Sequence, residues 1–247
     1  MDLVSFAALC AQEHNQACYN QDNDYSFAKN ILIIPISMHE LPLIASQYPI
    51  MFMNQGTVQP IAILSTNGKQ NSYIEKSGKW RDGYYIPAAI QTYPFSLQKL
   101  PEKEAGVLLF DTKSNKISLE QKANASGKLF NENREPTHLL RNIAATHSQF
   151  YEGKTQAVEF ATLLLAENLL LRTELSFASH IGAGQPASML HRINEQAYRA
   201  LPAATISRWF RAGWIDAISL ILASQNIWEH YLATLRASNA GIGAGHG

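Results

Sequence analysis

The chain has 247 residues, of which 46% are hydrophobic and 16% charged, with 20 Lys+Arg against 20 Asp+Glu. That is enough apolar sequence to bury a sizeable core, and it excludes an intrinsically disordered chain. Zero net charge leaves no broad basic field to collect phosphate backbones, so no nucleic-acid partner is expected.

The start, Met1 to Ala11, is apolar but carries Asp2, and the first cation is Lys29. A secretory signal needs a positive n-region and a longer apolar run, so none is expected and the default location is the cytoplasm. The two cysteines, Cys10 and Cys18, both stand in the first twenty residues. Two are too few for a disulfide framework, and C-x7-C is a poor metal spacing, so they read as free thiols on a partly buried helix. Residues 1–30 read as an N-terminal extension, followed by a single domain over 31–237.

Seven of the ten prolines fall between Pro35 and Pro101, which excludes long helices there. Short apolar, β-branched runs at Ile31–Ile36, Ile50–Met53, Ile61–Ser65, Ser72–Glu75, Tyr84–Ile86 and Gly106–Asp111 read as strands. Asn54-Gln55-Gly56, Thr66-Asn67-Gly68-Lys69 and Lys76-Ser77-Gly78-Lys79 carry turn chemistry between them, and Asn67-Gly68 suggests a hairpin. A further hairpin is predicted at 111–116, between Val107–Phe110 and Lys116–Leu119. Residues 31–130 are therefore strand-rich.

Residues 137–237 read as helical. Between Thr155 and Leu175 apolar residues cover most of a helix circumference, which predicts a largely buried helix. Glu167 is the charge most enclosed by apolar neighbours there, and an Arg of this half is its expected internal partner. Pro202 and Gly213 bracket a helix from 202 to 212. On it Phe210 and Trp214 at i, i+4 are placed toward the core, with Arg208 and Arg211 on a polar face. A further helix should follow Ile215, with Ile218, Ile221, Leu222, Trp228, Tyr231, Leu232 and Leu235 on one stripe. The last ten residues, 238–247, hold four glycines and read as a flexible tail. The whole is an α+β fold, a strand-rich N-terminal half packed against a helical C-terminal half. No run reaches 18 clean apolar residues, so no transmembrane helix is expected.

The search for chemistry finds few signals. The eight histidines make no H-x-H or H-E-x-x-H pattern, and His39-Glu40, read on a strand, would point to opposite faces. G-x-S-x-G and G-x-x-x-x-G-K-[ST] are absent, and Gly182-Ala183-Gly184 sits in no βαβ unit. No catalytic residue, metal or cofactor is therefore assigned. The unusual stretch is Gly78 to Phe95, GKWRDGYYIPAAIQTYPF. Aromatics beside prolines line grooves for extended peptides or sugars, or else fill a core. Trp80, Arg81, Tyr84, Tyr85, Tyr93 and Phe95 are the candidate ligand-binding residues.

These residues also carry a resemblance. The run Asp24-Tyr25-Ser26-Phe27-Ala28-Lys29, then Ile34-Pro35-Ile36, Glu40-Leu41-Pro42 and Tyr48-Pro49-Ile50-Met51-Phe52, resembles the SapC-type proteins. So do Gly78-Lys79-Trp80-Arg81-Asp82-Gly83-Tyr84-Tyr85-Ile86-Pro87-Ala88, Tyr93-Pro94-Phe95-Ser96-Leu97, and in the second half Arg192-Ile193-Asn194-Glu195, Leu201-Pro202, Gly213-Trp214-Ile215 and Ser224. The similarity runs from about Asp24 to Tyr231. One departure is Gln91-Thr92, where relatives commonly place a basic pair before Tyr-Pro-Phe. The resemblance implies a link to bacterial surface layers, and relatives look like accessory proteins encoded near flavin-dependent halogenases and outer-membrane receptors. It brings no catalytic residues. The expected function is a non-catalytic binding or assembly protein of surface-layer or envelope biology. The alternative is an accessory protein or enzyme acting on a peptide, amino acid or glycan through the aromatic-proline groove. The expected partner is a protein or small molecule, with self-association left open.

Overall fold

The computed structural model describes residues 6–65, 68–99, 106–120, 127–173 and 189–227. Thr66 and Asn67 of the predicted Asn67-Gly68 hairpin turn, the Gly182-Ala183-Gly184 run, the stripe beyond residue 227 and the glycine tail lie outside the described residues, while Gly68 is described at φ +70°. The fold is α+β, and the chain forms two compact units. The first comprises Met1–Asn23 and Ala88–Glu152, the second Asp24–Pro87 and Gly153–Gly247.

The first unit holds two small antiparallel sheets. β1 (Phe6–Ala8), β7 (Val107–Asp111) and β6 (Phe95–Gln98) pair in that order, and β2 (Cys18–Tyr19) pairs with β8 (Ile117–Ser118). Its core is Ala17, Phe95, Phe110, Leu129, Phe130 and Leu140. The hairpin predicted at 111–116 does not form, because β7 and β8 enter different sheets. Asp111 explains the divergence: its Oδ1 accepts the Lys113 N–H at 3.0 Å, an Asx turn that takes the chain out of β7. Lys116 is then buried and ion-paired to Asp22, which ties the turn to the N-terminal segment. Here too the cysteines separate: Cys10 is the N-cap of α1 (Ala11–His14) and Cys18 lies in β2, so the predicted shared helix is corrected. Gly127 is required by close approach, since any Cβ there would meet the Tyr19 carbonyl oxygen.

The second unit is built on a five-stranded antiparallel sheet, β3 (Ile33–Pro35), β5 (Val58–Ile63), β4 (Ile50–Asn54), β10 (Leu190–Ile193) and β9 (Leu170–Arg172), in that order. β4 and β5 are joined through Asn54-Gln55-Gly56, where Gly56 takes φ +89°. Both faces of β4 are buried, which is why it reads as a continuous apolar run. Met51 and Met53 pack with Leu32, Ile61, Ile63 and Leu190, while Phe52 meets Phe160 at 6.4 Å between ring centroids. Ser72–Glu75 and Tyr84–Ile86 form no strand; Ile74 makes only a single bridge to Trp80. His39 and Glu40 lie in a 3-10 turn rather than a strand. Ser37 and Glu40 cap it reciprocally: Ser37 Oγ accepts the His39 N–H and Glu40 Oε1 accepts the Ser37 N–H at 2.9 Å.

The helix predicted over 155–175 is instead α4 (His138–Ala166), and Leu170 to Arg172 form β9. The stop is Asn168, at φ +55°. The Asn168 N–H reaches the Leu165 carbonyl at 3.1 Å and the Leu169 N–H reaches Leu164 at 2.8 Å, the paired bonds of a Schellman ending, with Leu164 and Leu169 both buried beneath it. With Leu169 past the helix end and Leu170–Leu171 in β9, the buried stripe in this unit narrows to Gly153, Ala157, Phe160, Ala161 and Leu164, and Leu165 is exposed. Glu167 does pair with an Arg of this half, Arg208 at 3.9 Å, but at the surface rather than inside.

After α5 (Glu195–Arg199), α6 spans Ala203–Arg211 with Pro202 as N-cap, and Gly213 follows at φ +76°. Its core-facing residue is Trp209, 1% exposed and edge-on to Trp214 at 5.8 Å, whereas Phe210 is 64% exposed. Consecutive residues on a helix differ by 100°, so Trp209 and Phe210 cannot share the inner face; the larger ring takes it. Helix α7 follows over 214–227. Ala217, Ile218, Ile221 and Ser224 form its buried stripe, and Ser224 Oγ accepts the Ile50 N–H at 3.1 Å, holding α7 to the start of β4.

Candidate functional site

The residues singled out between Gly78 and Phe95 fall into both units. Trp80, Arg81, Tyr84 and Tyr85 belong to the second, Tyr93 and Phe95 to the first.

In the second unit, Trp80 is buried in an aromatic cluster. It stacks on Tyr73 at 6.2 Å and 14°, meets Tyr25 edge-on at 5.9 Å, and donates its Nε1–H to Tyr48 Oη at 3.3 Å. The Tyr48 hydroxyl donates in turn to the Tyr85 carbonyl at 2.5 Å. Every polar tip of this cluster that is named here has a partner within it, as buried indole and phenol groups require. Gly78, at φ +85°, brings the Lys76–Lys79 turn against Asp24 and Ser26. Tyr84 meets Tyr73 edge-on at 4.9 Å and is 39% exposed; Arg81 is exposed, with its N–H bonded to the Tyr73 carbonyl.

In the first unit, a cleft of about 450 Å³ opens between the segment 91–95, Tyr19, Gln21 and one face of α4. The helix supplies His138, Leu139, Asn142, Ile143, Thr146 and His147, an i, i+1, i+4, i+5 ladder that covers a single face. Phe95 stands in the wall, edge-on to Tyr19 at 5.2 Å and to His147 at 6.3 Å. Tyr93 lies just outside; its hydroxyl donates to Asp111 Oδ2 at 2.9 Å, and burial pushes the phenol pKa up.

His147 is the buried titratable group of the cleft, 4% exposed. Its Nε2 lies 3.1 Å from the Thr92 carbonyl. A carbonyl can only accept, so Nε2 carries the proton and the neutral ring keeps Nδ1 as its acceptor. Burial pushes the His147 pKa below the ordinary value, and the bond to Thr92 opposes this only in part. Among the described residues that line the cleft there is no Asp, Glu, Lys or Arg; the polar groups are amides, hydroxyls and two imidazoles.

Among the described residues, Cys10, Glu13 and His14 bring one metal-ligand atom each within 4.8 Å of one another. Here His14 Nδ1 already accepts the Cys10 N–H at 3.2 Å, and the ring packs edge-on to Phe110 at 5.1 Å. Cys10 therefore has His14, four residues on, as its chemical neighbour. The C-x7-C spacing to Cys18 carries no sign of this neighbour. The α4 face has a signal in the sequence, the polar repeat His138, Asn142, Thr146 beside the apolar Leu139 and Ile143, which a criterion of aromatic and proline density passes over.

An α+β protein with a neutral cleft on a helix face is the class that these observations define. A family model describes that class more closely: SapC matches residues 9–230, and the chain belongs to the SapC family. No curated protein and no solved structure matches the chain. Among the described residues no helix is long and apolar enough to cross a membrane.

Proposed function

We propose that this SapC-family chain is a non-catalytic binding protein of bacterial surface-layer or envelope biology, and that the cleft of the first unit is its ligand seat. The observation that carries the reading is the state of His147. Its one proton is held by the Thr92 carbonyl at 3.1 Å, and its pKa is depressed by burial. The bond fixes the tautomer and direction of the ring, and among the described lining residues no carboxylate, thiol or charged group stands with it as an acid–base or nucleophilic partner, so we read this imidazole as a group that orients a ligand. The other polar wall groups, Gln21, Gln91, Asn142 and Thr146, exchange hydrogen bonds and carry no charge. The envelope setting rests on the family.

The test is protein-observed NMR of the full chain titrated with a neutral, low-mass fraction of a bacterial envelope hydrolysate. Reversible shifts centred on Asn142, Thr146 and His147, with the bound component recovered unaltered by mass spectrometry, are expected. A component recovered chemically changed would overturn the non-catalytic reading, and shifts confined to residues outside the cleft would overturn its assignment as the seat.

A further inference from the structure

From the chemistry of its walls we infer that the cleft takes an uncharged saccharide. This rests on the reading of the cleft as a ligand seat and names the class of ligand. Three observations carry it. The first is the neutral lining: a carboxylate or ammonium moved from water into this cleft would find no counter-charge among its described walls, and an uncompensated charge is expensive to desolvate. The second is the type of polar group. Gln21, Gln91 and Asn142 carry amides, and Thr92 and Thr146 hydroxyls, groups that match sugar hydroxyls. The Thr146 hydroxyl already donates to the Asn142 carbonyl at 3.0 Å and so offers its oxygen as an acceptor, and Asn142 Nδ2, 3.1 Å from His138 Nδ1, keeps one N–H and its oxygen for a ligand. His147 adds an acceptor at Nδ1 whose direction is locked by the Thr92 bond on the far side of the ring. The third is the apolar surface between them. Tyr19 and Phe95 stand edge to face at 5.2 Å, with Leu139 and Ile143 beside them, which provides an aromatic wall for the C–H face of a pyranose. A volume of about 450 Å³ is at the small end of the range for ligand sites and suits one or two rings.

An extended peptide is the competing occupant, and the geometry disfavours it. Peptides in grooves are held largely through main-chain hydrogen bonds to a strand edge. Here the long wall is a helix face, where the backbone groups are spent internally and side chains alone are offered.

The experiment titrates the full chain with N-acetylglucosamine, galactose and cellobiose, with glucuronic acid and glucosamine as charged counterparts, and with trialanine, following the Asn142, Thr146 and His147 resonances. The neutral sugars are expected to shift them with a dissociation constant in the millimolar range, as few hydrogen bonds and one aromatic wall give. Asn142→Leu and Thr146→Val, both at exposed helix positions, should each weaken that binding about fivefold, one hydrogen bond lost, with an unchanged circular dichroism spectrum. Glucuronic acid or glucosamine binding as well as its neutral counterpart would overturn the inference. So would trialanine shifting these resonances in place of the sugars, though the cleft would then stand as a ligand seat. If the envelope fraction shifts the cleft and no sugar does, the saccharide class falls alone; if neither does, both readings fall.

Discussion

Replacing His147 by Leu tests the account of the cleft at its most buried point. The substitution keeps an apolar body but takes one of two donors from the Thr92 carbonyl, which retains only the Phe95 N–H at 2.9 Å. Losing one of the two hydrogen bonds to this carbonyl costs about 0.5–1.5 kcal/mol. Loss of the edge contact to Phe95, at 6.3 Å and 82°, adds about 0.5–1 kcal/mol, and relief from burying an imidazole offsets part of this. A net loss of about 1–2 kcal/mol near neutral pH is expected. The pH dependence carries the sharper check. The folded-state pKa lies below the ordinary 6.5 of the unfolded chain. Above that value His147 is neutral in both states and its contribution to stability is complete. As pH falls from there toward the depressed folded-state pKa, the unfolded chain takes up a proton that the native state refuses, so stability is lost. The Leu variant has no such proton, so its deficit against wild type should shrink between about pH 7.5 and pH 5.5. Urea unfolding followed by far-UV circular dichroism reads both numbers. His147→Gln, which restores an N–H donor, should recover about half the loss at the higher pH. A deficit that stays constant or grows on acidification would refute the neutral, carbonyl-bound imidazole.

Trp209→Ala should cost about 3–5 kcal/mol whereas Phe210→Ser should stay within about 0.5 kcal/mol, since only the first ring is buried; equal costs by denaturant midpoint would reverse the assignment of the α6 inner face. Gly153→Ala should destabilise by about 1–3 kcal/mol, because its Cβ would overlap Ser37 Oγ and sit 3.1 Å from His39 Nδ1; an unchanged thermal midpoint would show that the capped turn at Ser37 can step aside. Asn168→Gly should be neutral to mildly stabilising while Asn168→Val should cost about 1–2 kcal/mol, from the left-handed φ of +55°; calorimetry that ranks the two in the opposite order would remove Asn168 as the helix stop.

Much of the fold was legible where a local rule acts alone. Gly56 between two β-branched runs marks the β4–β5 hairpin, and Pro202 and Gly213 bracket α6 within a residue at each end. Legibility failed where a distant partner decides. Leu170 and Leu171 continue a helical pattern by composition, and only the arrival of Leu190–Ile193 as a pairing strand puts them in β9. The stretch 111–116 has the chemistry of a hairpin, yet the segment after it finds Cys18–Tyr19 as its partner. For the candidate site, the aromatic density that drew attention to Trp80 is spent largely on packing, with hydroxyl and indole groups paired inside the cluster. Phe95 stands in the cleft wall, but the helix face opposite it is drawn from residues 138–147, whose exposed polar repeat looks like any solvated helix surface until 91–95 is laid against it.

The alternation of the two units along the chain has a consequence for how the protein is made. Their pieces run in the order first, second, first, second, with the last boundary, Glu152–Gly153, inside α4. No single cut separates the two units, because each is interrupted by a piece of the other. On the ribosome the first unit has all its chain once residue 152 has emerged, though it was begun before its neighbour. The second waits: β3, β5 and β4 are made early, but the strand that completes β4 on its other side is Leu190–Ile193. Between Asn54 and Leu190 some 136 residues must be added, roughly 7 to 27 s of synthesis at about 5–20 residues per second. For that time a flat run of Ile, Met and Phe keeps an unsatisfied row of backbone donors and acceptors, the edge most open to a chaperone or to another nascent copy.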